Sequence, residues 1–255
     1  MPTFVGLDLA WTSHRESGIC WFEGETPRDL RCTRLEAAVC GTENLADEIA
    51  AVEGQVVVAI DAPLLYTPER WAEREVARRF GRYKASPHQA HYAVRQGYTA
   101  GIDLGEALEA RGFELEPAPL LRGEQGRFAV EVFPHTVHVR LFGLAERLPY
   151  KPRGGRSVAF RREVMQRYQC HLREVLERET PGVIESAEVQ RALAPETAAG
   201  ARGAALKRLD DTLDGLTCAL ASWLLWEQPD RWETIGDLNG YIVAPRASDE
   251  PAALA

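Results

Sequence analysis

Three apolar runs in this chain each carry a carboxylate where a hydrophobic strand would be expected: Phe4-Val5-Gly6-Leu7-Asp8-Leu9-Ala10-Trp11, Val56-Val57-Val58-Ala59-Ile60-Asp61 and Phe128-Ala129-Val130-Glu131-Val132-Phe133. An ionised carboxylate inside a protein is costly unless it is paired, hydrogen-bonded or bound to a metal. A late segment, Asp210-Asp211-Thr212-Leu213-Asp214, adds Asp211 and Asp214 three residues apart, on one face of a helix. Any one of these acids is explained most simply as a cap or as half of an ion pair. Taken together, without a matching set of bases, they would repel one another at neutral pH, and a hard divalent cation relieves that repulsion. An all-oxygen ligand set favours Mg²⁺ or Mn²⁺ over zinc. Two such ions would activate a water and stabilise the leaving oxygen of a phosphodiester. The expected catalytic residues are therefore Asp8, Asp61, Asp211 and Asp214, with Glu131 as a further metal ligand.

Strand side chains alternate faces, so Gly6, Ala59 and Ala129 are expected beside Asp8, Asp61 and Glu131. Continuing the face of Asp211 and Asp214 along its helix gives Gly215, Cys218, Ala219 and Ser222, all small. Two small-residue stripes suit a close helix-to-sheet approach that brings the acids together. The patterning predicts a strand over Phe4–Trp11, with a turn beginning at Trp11, and a hairpin at Ser17–Glu23 and Leu30–Ala37. A helix follows at Glu43–Glu53 with Thr42 as its N-cap, and then a doubly covered strand at Gln55–Leu64. An arginine-rich helix at Glu69–Phe80, an irregular stretch at Lys84–Tyr98, a helix at Ile102–Arg111 and a loop at Glu116–Gly126 precede the strand Phe128–Phe133. This interval exceeds a normal crossover and reads as a helical insertion. Helices at Thr136–Leu144, Ser157–Glu179 and Ala204–Trp226 follow, the last with a leucine stripe of core spacing, then a short strand at Gly240–Val243.

The chain has 255 residues and a formal net charge of −8, which disfavours non-specific binding to nucleic acid. Its basic residues nevertheless cluster in Arg70–Lys84 and Lys151–Arg167. From these, Arg78, Lys84, Lys151, Arg153 and Arg156 are the candidate phosphate contacts; Arg153 and Arg156 flank two glycines in the basic loop PYKPRGGR. The five cysteines are scattered singly with no CxxC pair, which argues against a disulfide framework or a zinc ribbon and for a reducing cytoplasm. The most apolar late stretch, Leu213–Trp226, is shorter than a membrane span, so no membrane partner is expected. His88 with His91, and His135 with His138, have helical spacing and form a weaker metal pattern. No GxSxG elbow, P-loop or GxGxxG is present.

The ordered set GLDLA around Asp8, AIDAPL around Asp61, VEVFPH around Glu131 and DDTLDGLTCALA around Asp211 and Asp214 resembles the DUF429 family of predicted nucleases with a ribonuclease H-like fold. The resemblance spans roughly Phe4 to Pro245. It implies an α/β protein with a mixed five-stranded sheet flanked by helices, strands one to three antiparallel, strands four and five parallel to the first. Chain length and patterning give a single domain over 1–245 with a helical insertion at about 66–127, leaving 246–255 as a tail. By that likeness Asp8, Asp61 and the Asp211/Asp214 pair match metal-binding positions, the last pair resembling the DxxD of Holliday-junction resolvases. Glu131 falls on the fifth strand, where ribonuclease H-like enzymes vary. The resulting expectation is a Mg²⁺- or Mn²⁺-dependent nuclease acting on DNA or RNA by a two-metal mechanism. Two rivals are a phosphotransferase of the actin and sugar-kinase superfamily, which would need a duplicated core, and a non-catalytic module that binds nucleic acid or protein.

Overall fold

Side chains of β1 (Thr3–Asp8) alternate between two cores: Phe4 belongs to one, Val5 and Leu7 to the other. The strand is central because it can be covered on both faces. A computed structural model of the chain describes residues 1–12 and 14–247. In chain order β1 is followed by β2 (Glu16–Glu23), β3 (Arg31–Val39), α1 (Thr42–Ala50) and β4 (Val56–Ile60). Then come α2 (Ala72–Phe80), α3 (Ala90–Arg95), α4 (Ala100–Glu109), α5 (Pro117–Leu121) and β5 (Arg127–Glu131). The remainder is α6 (Pro134–Leu141), α7 (Val158–Glu179), α8 (Ala187–Ala192), α9 (Pro195–Gly200), α10 (Gly203–Glu227), β6 (Trp232–Asp237) and β7 (Gly240–Pro245).

The main sheet has the order β3-β2-β1-β4-β5. β1, β2 and β3 are antiparallel neighbours, whereas β4 runs parallel to β1 and β5 parallel to β4. This is the expected α/β architecture, consistent with a ribonuclease H-like arrangement. Among the described residues there is one five-stranded sheet and one β6–β7 hairpin, so the duplicated core of the phosphotransferase alternative is not seen.

One face of the sheet (Phe4, Phe22, Val57, Ala59, Val130) packs against α10 and α7. The other (Val5, Leu7, Ile19, Val58, Ile60, Ala129) packs against α1 and α4. A third, smaller core joins Val76 and Phe80 of α2 to Ile235 and Ile242 of the hairpin.

α10 lies unusually close to the strands. A Cβ on Gly6 would come within 2.0 Å of the Ala219 amide nitrogen, and one on Gly18 within 1.8 Å of the Asp211 carbonyl oxygen. Both obstacles are backbone and cannot swing aside. The small-residue stripe expected along this helix is thus the surface that meets β1 and β2.

Several local expectations change. Gly41, not Thr42, is the N-cap of α1. The Lys84–Tyr98 and Glu116–Gly126 stretches contain the short helices α3 and α5, and β6 pairs with the expected final strand. Ser157 caps α7 by accepting a hydrogen bond from the Phe160 amide at 3.1 Å. The expected tail lies outside the described residues except for Arg246 and Ala247. No helix among the described residues is long and apolar enough to cross a membrane.

Candidate active site

Parallel pairing of β1 with β4 sets Gly6 opposite Ala59 and Leu7 opposite Ile60, and the Asp61 amide donates to the Leu7 carbonyl at 2.8 Å. One step further along, Asp8 and Asp61 lie side by side on adjacent strands about 4.8 Å apart, on the face that meets α10. Neither carboxylate accepts a hydrogen bond from another described residue. Burial is the main cause that raises Asp8 from 3.8 to about 7, opposed by Lys151 and reinforced by Asp214 and Asp211. Burial also pushes Asp61 well above the ordinary carboxylate range, and the charge of Asp8 adds to the effect.

β5 is offset in a way that changes the third acid. Ala59 pairs with Val130, so Glu131 stands opposite Ile60 and on the other face from Asp8 and Asp61. A shift of one residue exchanges the faces of every side chain in a strand. Ala129 accordingly belongs to the α1/α4 core rather than to the small-residue surface beside Gly6 and Ala59.

Glu131 is instead locked to the buried Arg70 by two parallel contacts, Nη2 to Oε1 at 2.7 Å and Nη1 to Oε2 at 3.0 Å, with Leu64 N 3.3 Å from Oε2. Arg70 also donates to Glu73 at 2.7 Å. Burial alone would lower the Arg70 pKa; Glu131 and Glu73 more than reverse that. The expectation that Glu131 joins the aspartates as a ligand is corrected on this geometry: it holds the insertion to β5.

α10 brings Asp210, Asp211 and Asp214 to the same end of the sheet, all buried. The expectation that the carboxylates lack basic partners is also corrected. Lys151 Nζ lies 2.7 Å from Asp210 Oδ1 and 2.5 Å from Asp214 Oδ2. Lys207, one helical turn before Asp211, is paired with it.

Asp214 is the most fully engaged. Tyr150 donates to its Oδ1 at 2.8 Å and Tyr168 at 3.0 Å. Burial opposes ionisation of Asp214, but Lys151 and the nearby His138 and His135 outweigh it and hold the pKa at about 2. Asp210 rises to about 6 because burial exceeds the help from Lys151. Lys151 is half-buried, which disfavours its charge, yet it is shifted upward, since Asp214, Asp8 and Asp210 surround it.

Behind Asp214 the Tyr168 hydroxyl also contacts Thr217 Oγ1 at 2.6 Å and His138 Nε2 at 2.7 Å. Burial keeps His138 neutral, its pKa lowered to about 4. His135 and His138 thus back the acids, while His91 contacts the Tyr66 hydroxyl at 2.6 Å.

Asp8, Asp61, Asp211, Asp214, His135 and Tyr150 line a cleft of about 920 Å³. Its walls carry Arg15, Arg147 and Arg153 together with Lys151 and Lys207. Arg15, Arg147 and Arg153 make no ion pair with a carboxylate among the described residues. Burial lowers the Arg147 pKa, and its neighbours Arg153 and Arg156 lower it further.

The expected phosphate contacts divide accordingly. Lys151 and Arg153 line the cleft, and Arg156 braces it by donating to the Lys151 carbonyl at 2.9 Å. Arg78 and Lys84 do not: Arg78 pairs with Glu75 on its own helix and Lys84 with Glu146. Tyr150, Tyr168, Arg15, Arg147 and Lys207 carry no local sequence signal that would have marked them.

A metal fits part of this arrangement. Among the described residues no group of three or more His, Cys, Asp or Glu side chains is arranged to hold an ion. Mg²⁺, however, is commonly held by one or two carboxylates, with water and substrate phosphate completing its shell. The Asp8–Asp61 pair, unpartnered among the described residues, meets that requirement, whereas Asp211 is paired with Lys207 and Asp214 and Asp210 share Lys151.

The chain belongs to the family described as "Protein of unknown function (DUF429)", whose model matches residues 6–235. No curated protein and no solved structure matches it.

Proposed function

We propose that this protein is a divalent-cation-dependent hydrolase of nucleic-acid phosphodiester bonds. The observation that carries this reading is the adjacent pair Asp8 and Asp61, in a cleft that also holds Arg15, Arg147 and Arg153, all without an ionic or hydrogen-bonded side-chain partner among the described residues. The pair would hold Mg²⁺ or Mn²⁺, which supplies a Lewis acid for the phosphate and lowers the pKa of a bound water. Lys151 is fixed by Asp210 and Asp214 and contributes a permanent positive charge close to Asp8. Tyr150 and Tyr168 orient Asp214, and through it Lys151. Arg147 and Arg153 provide charge for the flanking phosphates. Where four aspartates around two ions were expected, the geometry favours one carboxylate-held cation with a lysine beside it.

The lysine pairing also supports a second reading, a nucleic-acid-binding module without catalysis. Purified protein with Mn²⁺ or Mg²⁺ is expected to cut a DNA or RNA substrate, and Asp8→Asn and Asp61→Asn to abolish cutting while retaining the fold. Absence of cutting together with absence of calorimetric Mn²⁺ binding would reject the hydrolase in favour of the binding module.

A further inference from the structure

The cleft wall contains three aromatic rings that no core accounts for. Trp11 follows Asp8 by three residues and remains 41% exposed, and Tyr98, just before α4, is 37% exposed. The Trp11 ring centroid lies 5.4 Å from that of Tyr98 and 5.5 Å from that of the exposed His88. All three line the same cleft as Asp8, Arg147 and Arg153. Exposed rings gathered into one patch on a cleft wall, unlike a singly exposed side chain, mark a binding surface.

We propose that Trp11, supported by Tyr98 and His88, is a stacking platform for an unpaired base of a single-stranded nucleic acid, with Arg147 and Arg153 taking backbone phosphates. The inference builds on the phosphodiester reading by naming the strand state of its substrate. Three features select a single strand. A base can stack on a side chain only when its own neighbour has been removed, which duplexes resist. The 920 Å³ cleft has the size of a small-ligand site rather than a duplex groove. Chain reach places Trp11 within about 10 Å of Asp8, so a strand stacked there passes the carboxylates. Guanidinium groups that make no ion pair among the described residues localise the attraction for phosphate to this cleft in a protein of net charge −8.

The test is fluorescence anisotropy with the full chain in EDTA, so that binding is read without cleavage. The probes are a labelled single-stranded oligonucleotide of about twelve nucleotides, as DNA and as RNA of the same sequence, and the corresponding blunt duplex. Single strands are expected to bind roughly tenfold or more tighter than duplex, and the DNA and RNA arms identify the preferred sugar. Trp11→Ala should weaken single-strand binding about tenfold, as expected for loss of one stacked base, and Trp11→Phe should stay within about threefold of wild type. Arg153→Ala should lower the salt dependence by about one phosphate contact. Wild-type binding by Trp11→Ala, equal affinity for duplex, or a mononucleotide that binds as tightly as the oligonucleotide would each overturn the proposal. Cleavage that does not depend on Trp11 would remove the platform and leave the hydrolase. Trp11-dependent binding without Mn²⁺-dependent cleavage would do the reverse.

Discussion

The Lys151 amino group lies 2.5 Å from the Asp214 carboxylate, so a cation supplied by the chain itself sits among the acids. That lysine comes from the basic loop before α7 and the aspartate from the first half of α10. It also touches Asp210, so two buried carboxylates share this one positive charge.

Replacing Lys151 by alanine should therefore destabilise the metal-free protein by about 3 kcal/mol, because removing one partner leaves buried charge uncompensated. Urea unfolding measures the loss. Mn²⁺ should raise the midpoint of the variant more than that of wild type, since Asp210 and Asp214 become available to the ion. A variant as stable as wild type would refute the role given to this lysine.

Asp8 gives stability a pH dependence of known sign. Its pKa is raised by burial to about 7 in the folded chain, against 3.8 ordinarily. The folded state therefore holds its proton more tightly, and the contribution to stability is full below about pH 4 and lost as pH rises through about 7. Asp8→Asn cannot ionise. Relative to wild type it should gain on the order of 2 kcal/mol between about pH 4 and pH 8 in EDTA, allowing for solvent in the cleft. A parallel pair of pH profiles would show that Asp8 is not raised.

Gly6 sets the distance between α10 and β1. A methyl group there would meet the Ala219 nitrogen at 2.0 Å and the Gly215 oxygen at 2.3 Å. Gly6→Ala should cost about 3 kcal/mol or more by overpacking and lower the fraction folded. Gly81→Ala is the control: it has helical φ and no neighbour within 4 Å, and should be neutral or stabilising by up to about 1 kcal/mol. Equal melting temperatures for the two variants would contradict the close approach.

Glu131 and the aspartates should separate experimentally. Glu131→Gln removes the ionic partner of Arg70 and should lower stability by about 3 kcal/mol. Its Mn²⁺ affinity by calorimetry should remain within about threefold of wild type, less than 1 kcal/mol. Loss of Mn²⁺ binding in this variant with the fold intact would return Glu131 to the metal site.

Sequence by itself determined the succession of strands and helices along the chain, the apolar runs that carry acids, the leucine stripe of α10 and its small-residue face, because these depend on local periodicity; the order of strands in the sheet was implied by the family resemblance. Gly6 and the run Gly215, Cys218, Ala219 and Ser222 were legible as a close contact for the same reason. Tertiary structure decided the rest. The pairing of Ala59 with Val130 turned Glu131 to the opposite face, and no local pattern encodes a register between strands that lie some seventy residues apart. The positions of Lys151 and Lys207 among the aspartates depend on where a loop and α10 meet the sheet. Trp11, Tyr98 and His88 come from separate segments and become one wall only when the insertion closes over the carboxyl ends of β1 and β4.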